Sequence, residues 1–196
     1  MTALTLAANT HAPQEPSDLE LVERCRGGDA AAWECLYRAH FGFVHRLAQR
    51  LGAQTSEAED VCQEVFLLAH RKLANFHEGQ FRHWLYRFVV NVAGNRQKRR
   101  RVREALSSLW GGRPERVERT PEHDAGAREA VAQVKAVLDQ MAPKKREVFV
   151  LYELEEMSGE EIAAMVGCGV NTVWTRLHHA RREFEELARA QGLGYP

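Results

Sequence analysis

The sequence lacks the long apolar runs that cross a bilayer. A membrane-spanning helix needs about 20 nearly uninterrupted apolar residues, and stretches such as Val148 to Tyr152 are far shorter. No Lys or Arg precedes Arg24, so the basic start of a secretory signal is also missing. We therefore expect a cytoplasmic protein with no membrane span.

Cysteine is scarce, and the sequence contains no C-x-x-C pair. Nine histidines are present, but none falls with another His or Cys in a zinc-like array. We therefore predict no metal and no cofactor. Thiols stay reduced in the cytosol, and we interpret all four as small buried or half-buried side chains: Cys25, Cys35, Cys62 and Cys168.

Strand-like alternation is nowhere sustained, whereas apolar residues recur at helical spacing. The predicted fold class is all-α, with two small helical domains joined by a flexible linker. Composition predicts a disordered tail over residues 1–17, an N-terminal helical domain over 18–103, a linker over 104–126 and a C-terminal domain over 127–196.

Polar residues mark the expected helix starts in the first domain. Asp18, Asp29 and either Thr55 or Ser56 are predicted N-caps of the first three helices. A fourth helix is predicted from Phe81 to Arg103, apolar and aromatic at first and strongly basic at its end.

The C-terminal domain has the pattern of a helix-turn-helix. Ser158 and Glu161 form a capping box before a short helix, and Gly167 to Gly169 turn the chain. An unbroken apolar stripe then runs from Val170 to Leu187 at helical spacing. A generic αα-hairpin would show similar periodicity, so this pattern by itself leaves DNA binding and simple packing both open.

The net charge is zero, with 27 basic and 27 acidic residues, but the charges are segregated. Residues 1–94 carry 9 basic and 11 acidic side chains (−2), residues 95–127 carry 9 and 5 (+4), and residues 128–196 carry 9 and 11 (−2). Six basic residues and no acid lie between Asn95 and Arg103. Such density favours a polyphosphate partner, with a solvated charge run as the alternative. The acidic C-terminal domain would bind DNA weakly without help from a partner.

One helix, from Asp60 to Leu73, carries Asp60, Gln63 and Glu64 side by side. This surface is either a solvated polar face or a docking site for a basic partner. Paired carboxylates can also perform acid and base chemistry, but no nucleophile, histidine partner or glycine-rich loop accompanies them. We therefore predict that the chain is not an enzyme.

Taken together, two segments resemble the bacterial extracytoplasmic-function (ECF) sigma factors. They are DVCQEVFLLAHRKLANFHEGQFRHWLYRFVVNVAGNRQKRRR and, after the linker, VFVLYELEEMSGEEIAAMVGCGVNTVWTRLHHARREFEEL. The resemblance implies a dissociable subunit that binds core RNA polymerase and directs promoter-specific initiation. It also implies docking on the clamp of the β′ subunit through Asp60, Gln63, Glu64 and Phe66.

The resemblance further implies contacts to double-stranded promoter DNA and to the melted non-template strand. Residues similar to those that read the minus-10 element are Asn75, Phe76, His77, Arg82, Asn91, Asn95, Arg96, Arg99 and Arg100. Residues similar to those that read the minus-35 element are Asn171, Thr172, Trp174, Thr175, Arg176, His178 and Arg181.

The sequence departs from the family pattern at Asn95, where an acidic residue is usual, at Trp174, where a Lys or similar polar residue is common, and at Gly169, which replaces the usual Pro or Ser. These departures bear on promoter preference. The family is typically held inactive by an anti-sigma factor, which here would be a separate protein.

Two other functions remain open on the sequence. One is a stand-alone helix-turn-helix regulator that binds DNA without polymerase. The other is an interaction scaffold or a hydrolase that uses Asp60 and Glu64.

Overall fold

The computed structural model describes residues 16–77, 79–109 and 125–193. Within these ranges the regular elements are all helical, which confirms the predicted all-α class. The α-helices of the described residues are α1 (Asp18–Arg26), α2 (Ala30–Arg50), α3 (Ala58–Lys72), α4 (Phe81–Leu109), α5 (Ala125–Gln140), α6 (Pro143–Phe149), α7 (Gly159–Val166) and α8 (Val170–Ala190).

The first four helices form one bundle around α2. Helix α1 packs on α2, and α3 packs against both α2 and α4. Each helix turns one apolar stripe inward, which is the arrangement that buries most apolar surface for an amphipathic helix. The fully buried side chains include Leu36, Val44, Leu47, Val61, Val65, Phe81, Leu85 and Val89.

Helix α4 continues to Leu109, although the sequence predicted its end near Arg103. Residues 104–109 contain neither glycine nor proline, so nothing in the chain interrupts the helix. Residues 125 and 126 of the predicted linker already belong to α5, which begins at Ala125. Residues 110–124 of the linker lie outside the described residues, as do residues 1–15 of the predicted tail.

The helix caps partly confirm the sequence prediction. Asp29 caps α2 and accepts hydrogen bonds from the N–H groups of Ala31 and Ala32 at 2.9 and 3.1 Å. The prediction that Asp18 is the N-cap of α1 was wrong, because Ser17 is the N-cap and forms a capping box with Glu20.

The expected cap of α3 at Thr55 or Ser56 was also wrong. Residues Thr55–Glu57 form a 3₁₀ turn that leads directly into α3, and neither hydroxyl caps the helix. The 3₁₀ turn takes the place of a side-chain cap, since its tighter hydrogen bonds engage the first turn of backbone.

The second domain comprises α5 to α8. Ser158 caps α7 in the predicted capping box with Glu161, and Gly167 ends the helix at a φ of +72°, a conformation that glycine adopts without strain. The Phe149 and Phe184 rings stack at 4.6 Å between α6 and α8. A π-helical turn, Val150–Leu154, extends α6 toward α7.

The two domains pack against each other through a partly polar interface. Arg146 of α6 is 3% exposed and reaches across to the first domain. It donates to the carbonyl oxygen of Leu51 at 2.9 Å and to the amide oxygen of Gln97 at 2.6 Å. Nearby, the Tyr86 hydroxyl of α4 donates to the Glu147 carboxylate of α6.

Three expectations from composition can be compared with the structure. Cys62 is buried and Cys25 and Cys168 are half-buried, but Cys35 is exposed, which corrects its expected burial. No helix of the described chain combines the length and apolarity needed to cross a membrane. The described residues also contain no cluster of three or more side chains suited to a metal ion.

The capping box of α7 predicts a pair of contrasting substitutions. Ser158→Ala removes the hydroxyl that accepts from the Glu161 N–H at 3.2 Å and should lower the free energy of unfolding by about 1 kcal/mol. Ser56→Ala is the matched control, because Ser56 makes no cap bond, and should change it by less than about 0.5 kcal/mol. Urea unfolding of both variants measures the difference, and equal effects would contradict the assigned caps.

Candidate protein and nucleic-acid interfaces

Helix α3 presents a polar face with one apolar residue. Asp60, Gln63 and Glu64 are exposed and lie on adjacent turns, as the sequence predicted. Leu67 follows one turn later and is 58% exposed. We call these four residues the α3 face. An apolar side chain within a polar rim is the composition of a protein-binding surface.

Phe66 does not belong to this face. Its side chain is 3% exposed, and its ring lies 4.6 Å from that of Tyr37 and 6.2 Å from that of Trp33. The position therefore supports the α3 face from within the bundle, whereas the sequence interpretation had it contact a partner directly. The apolar residue at the surface is Leu67, which the sequence analysis did not single out. The sequence could have indicated the exposure of Leu67, because the next residue, Leu68, occupies the inward position of the helix.

A groove between α3 and α4 brings together Arg96, Arg99 and Arg100, three of the arginines predicted for the minus-10 element. We call it the α4 groove. Arg96 donates to the Glu64 carboxylate at 2.9 Å, so the groove adjoins the α3 face. Arg100 donates to the carbonyl oxygen of Gly52 at 3.2 Å, and Arg99 is exposed. Lining the groove are Gln54, Glu57, Glu64, Leu68, Asn91, Val92, Asn95, Arg96, Arg99, Arg100 and Arg103.

The loop before α4 forms a second, separate pocket, which we call the loop pocket. Asn75 and His77 are exposed at its edge. Phe76 is buried and packs 5.4 Å from Phe81 and 5.5 Å from Trp84, so its ring anchors the loop.

The loop pocket has a wall from each domain. His83 of α4 lines it, and burial holds the pKa of this imidazole below its ordinary value, so that His83 is neutral at pH 7. Ala164 and Met165 of α7 line the opposite side. The second domain therefore contributes to a pocket built mainly by the first.

Arg82 lies apart from both the α4 groove and the open part of the loop pocket. Its guanidinium sits 4.2 Å from the centre of the Phe43 ring and 3.5 Å from the Glu155 carboxylate of the second domain. The structure thus divides the residues predicted for the minus-10 element among three places.

Helix α8 is the longer helix of the helix-turn-helix and exposes one polar face. The inward stripe is buried or partly buried as predicted, through Val173, Leu177, Ala180 and Phe184. The opposite face exposes Asn171, Thr172, Thr175 and His178. Gly169 is the N-cap of α8, and it makes no side-chain cap bond.

Two arginines of α8 already have partners in the same domain. Arg176 is half-buried and donates to the sulfur of Cys168 at 3.7 Å. Arg181 donates to the Glu153 carboxylate at 2.6 Å, and its guanidinium lies 5.4 Å from the Tyr152 ring.

Trp174 packs on the first residue of α7. Its side chain remains 42% exposed, while its ring meets Tyr152 edge-on at 5.5 Å. A Cβ at Gly159 would lie 2.6 Å from the indole, so only glycine fits beneath the ring. The resemblance implies that Trp174 contacts DNA, and the structure places part of its indole against a neighbouring helix.

Both predicted modules match family models. Residues 36–103 match Sigma-70 region 2, and residues 132–184 match Sigma-70 region 4. The chain is 32% identical over 181 residues to the RNA polymerase sigma-H factor of Pseudomonas aeruginosa, covering 88% of this chain and 94% of that protein. The chain belongs to the ECF RNA polymerase sigma factors. It is therefore a dissociable sigma factor, and the stand-alone regulator is not favoured.

A second relative and a solved structure support the same family. The ECF sigma factor SigE of Mycolicibacterium smegmatis is 35% identical over 168 residues, which cover 81% of this chain and 63% of SigE. The sigma factor RpoE of Bartonella quintana, solved in complex with the anti-sigma factor NepR, superposes with a TM-score of 0.62 at 25% identity, covering 80% of this chain and 96% of RpoE.

The Gly159 contact predicts opposite effects of two glycine substitutions. Gly159→Ala in this sigma factor places a methyl group against the Trp174 ring and should cost about 1–3 kcal/mol of stability. Gly94→Ala is the control, because it lies within α4 with open space around it and should stabilise by up to about 1 kcal/mol. Thermal unfolding followed by tryptophan fluorescence measures both, and a neutral Gly159→Ala would contradict the close contact.

Proposed function

We propose that this sigma factor docks on core RNA polymerase through the α3 face and reads promoter DNA through α4 and α8. The observation that supports this most is the adjacency of the α3 face and the α4 groove, which meet at the Glu64–Arg96 ion pair. A polymerase bound at the first surface would hold promoter DNA beside the second.

The α3 face has the chemistry to bind a basic surface of the β′ clamp. Asp60 and Glu64 supply negative charge, Gln63 supplies hydrogen bonds, and Leu67 supplies an exposed apolar anchor. Charged rims steer the encounter of two proteins, while a desolvated apolar centre contributes most of the affinity. Phe66 contributes by holding this turn of α3 on Trp33 and Tyr37.

The α4 groove and the loop pocket serve the minus-10 element. Arg96, Arg99 and Arg100 hold phosphates, while Asn91 and Asn95 present amides that can donate to and accept from base edges. Asn75 and His77 at the loop pocket would receive an unstacked base of the non-template strand. Capture of such a base offsets the few kcal/mol that unstacking requires.

Helix α8 would enter the major groove at the minus-35 element. Asn171, Thr172, Thr175 and His178 face outward without a core role, so base and phosphate contacts are open to them. Trp174 stands at the edge of this face with part of its ring exposed, where it can contact sugar or a thymine methyl group. Arg176 and Arg181 would also contact DNA once they release Cys168 and Glu153.

The net charge of zero is compatible with a protein that contacts promoter DNA through two domains. The C-terminal domain is net negative, at −2 over residues 128–196, so it would not hold promoter DNA tightly by itself. When both domains are bound to polymerase, DNA binding by one domain raises the effective concentration of DNA at the other. Promoter selectivity would therefore arise only in the assembled holoenzyme.

The remaining assignments follow from this role. The chain acts in the cytoplasm with RNA polymerase, carries out no catalysis and needs no cofactor, because the chemistry of RNA synthesis belongs to the polymerase. A separate anti-sigma factor is a further partner. The complex of the relative RpoE with the anti-sigma factor NepR supports this assignment.

Run-off transcription with core polymerase over a randomised promoter library tests the proposal as a whole. We expect transcripts from a defined subset of promoters only when this chain is added. Equal transcription from all templates, or no dependence on the chain, would reject the proposed function.

Polymerase binding predicts a loss on substitution of Asp60. Asp60→Ala removes one charge of the α3 face and leaves the Glu64–Arg96 pair intact, so we expect about a fivefold to tenfold weaker complex with core polymerase. Glu186→Ala on α8 removes an exposed carboxylate far from this face and serves as the control. Fluorescence titration against core polymerase gives both dissociation constants, and equal values would remove Asp60 from the interface.

Phosphate binding by the α4 groove predicts a change in salt dependence. Arg99→Ala should reduce the slope of log K against log salt concentration for holoenzyme binding to promoter DNA by about one unit. Arg189→Ala, at the far end of α8, should leave the slope unchanged. Filter binding at several salt concentrations measures the slopes, and an unaltered slope for Arg99→Ala would place this residue away from DNA.

A further inference from the structure

One carboxylate of the second domain is enclosed by arginines of the first. Glu155 follows the π-helical turn after α6, and its side chain is only 3% exposed. Its oxygens lie 2.5 Å from Arg50, 3.5 Å from Arg46 and 3.5 Å from Arg82. We call Glu155 and these three arginines the clasp. Within the clasp, Arg50 and Glu155 are 105 positions apart in the sequence.

The clasp is anchored by further contacts on both sides. Arg50 also donates to the carbonyl oxygen of Leu154 at 2.8 Å, so it binds the backbone beside the carboxylate. Arg82 stacks on Phe43, which limits where its guanidinium can move. Glu156, the next residue, has a φ of +54°, a conformation that a residue with a Cβ rarely adopts. The turn is therefore held in an unusual conformation that aims Glu155 at the first domain.

Closure involves Arg82, which the resemblance assigns to the minus-10 element, and the loop pocket, which the proposed function assigns to an unstacked base. Arg82 forms an ion pair with Glu155. With the domains in this arrangement, Ala164 and Met165 form a wall of the loop pocket next to Trp84. A strand of DNA could not enter the pocket from that side. The closed arrangement is therefore incompatible with full access to the loop.

The chemistry of the clasp suits reversible closure. Three guanidinium groups surround the Glu155 carboxylate, and Glu161 also acts on Arg82, so the arginines outnumber the nearby carboxylates and can bind a phosphate. The carboxylate and a DNA phosphate are both anions with oxygens that can accept from arginine. One can therefore replace the other as the hydrogen-bond acceptor of the arginines.

We propose that Glu155 is an internal latch, which holds the free sigma factor closed by occupying a cationic site that nucleic-acid phosphate takes over in the open state. The assignment of the covered residues to DNA rests on the proposed function, whereas the closed state of the free chain does not. The ligand of the three arginines in the open state is a phosphodiester, and the Glu155 carboxylate competes with it for the same site.

The test compares Glu155→Gln with the matched control Glu160→Gln in the full chain. Glutamine keeps the shape of Glu155 and removes the charge that binds the arginines. Glu160 is an exposed carboxylate of α7, five positions away, so its replacement makes the same change in net charge. Circular dichroism establishes that each variant retains its helices.

Small-angle X-ray scattering of the free variants gives the first result. We expect a larger radius of gyration for Glu155→Gln, from an open-to-closed ratio raised about tenfold or more, and no change for Glu160→Gln. Equal radii for Glu155→Gln and the unsubstituted chain would overturn the latch. Expansion of both variants would also overturn it, because the effect would then belong to net charge.

Binding of a short single-stranded oligonucleotide without polymerase gives the second result. Fluorescence polarisation should show about tenfold tighter binding for Glu155→Gln than for the unsubstituted chain or Glu160→Gln. Arg50→Gln should likewise open the free chain, and its combination with Glu155→Gln should add little, because both remove the same contact. Full additivity of the two changes in scattering would contradict a shared clasp.

The outcomes separate the latch from the proposed function. Opening of Glu155→Gln in scattering, together with failure of the unsubstituted chain to direct transcription, would retain the latch and reject the function. Promoter-directed transcription with no opening of Glu155→Gln would retain the function and reject the latch.

Discussion

A buried guanidinium constrains how the two domains of this sigma factor meet. Arg146 leaves water almost entirely, which is unfavourable for a charge unless several acceptors surround it. Leu51 and Gln97 supply acceptors from the first domain, and Leu138 and Asp139 supply them from the second. Burial lowers the pKa of Arg146, but a guanidinium remains protonated in proteins. Separation of the domains therefore requires water to replace the acceptors of the first domain.

Helix α4 connects the core, the α4 groove and the domain interface. Its apolar residues, such as Phe81 and Leu85, are fully buried, while Arg96 and Arg99 face the α4 groove. Other residues of the same helix meet the second domain, including Tyr86 at Glu147. A helix is rigid over its length, so α4 fixes the position of the α4 groove relative to the residues that meet the second domain.

Sequence reasoning succeeded where the signal is local. The stripe from Val170 to Leu187 and the Ser158 capping box are patterns within one or two turns of helix, and both occur as predicted. The predicted helix caps were wrong where the sequence allows more than one local structure. Ser17 and Asp18 are both good caps, and a 3₁₀ turn at Thr55–Glu57 replaced the expected cap of α3. Asp60, Gln63 and Glu64 were correctly predicted to share an exposed face, but periodicity could not indicate that Phe66 is covered by Trp33 and Tyr37.

The sequence by itself determined the all-α class, the helix-turn-helix, the acidic face of α3 and the basic half of α4, because each depends on residues within a few turns of one another. Only the tertiary structure decided that Glu155 meets Arg50 and that Trp174 covers Gly159. Helical periodicity states which side of a helix is apolar, but not which distant segment packs there. Charged partners far apart in the chain leave no periodic signal, so the interface between the domains became visible only when the helices were assembled.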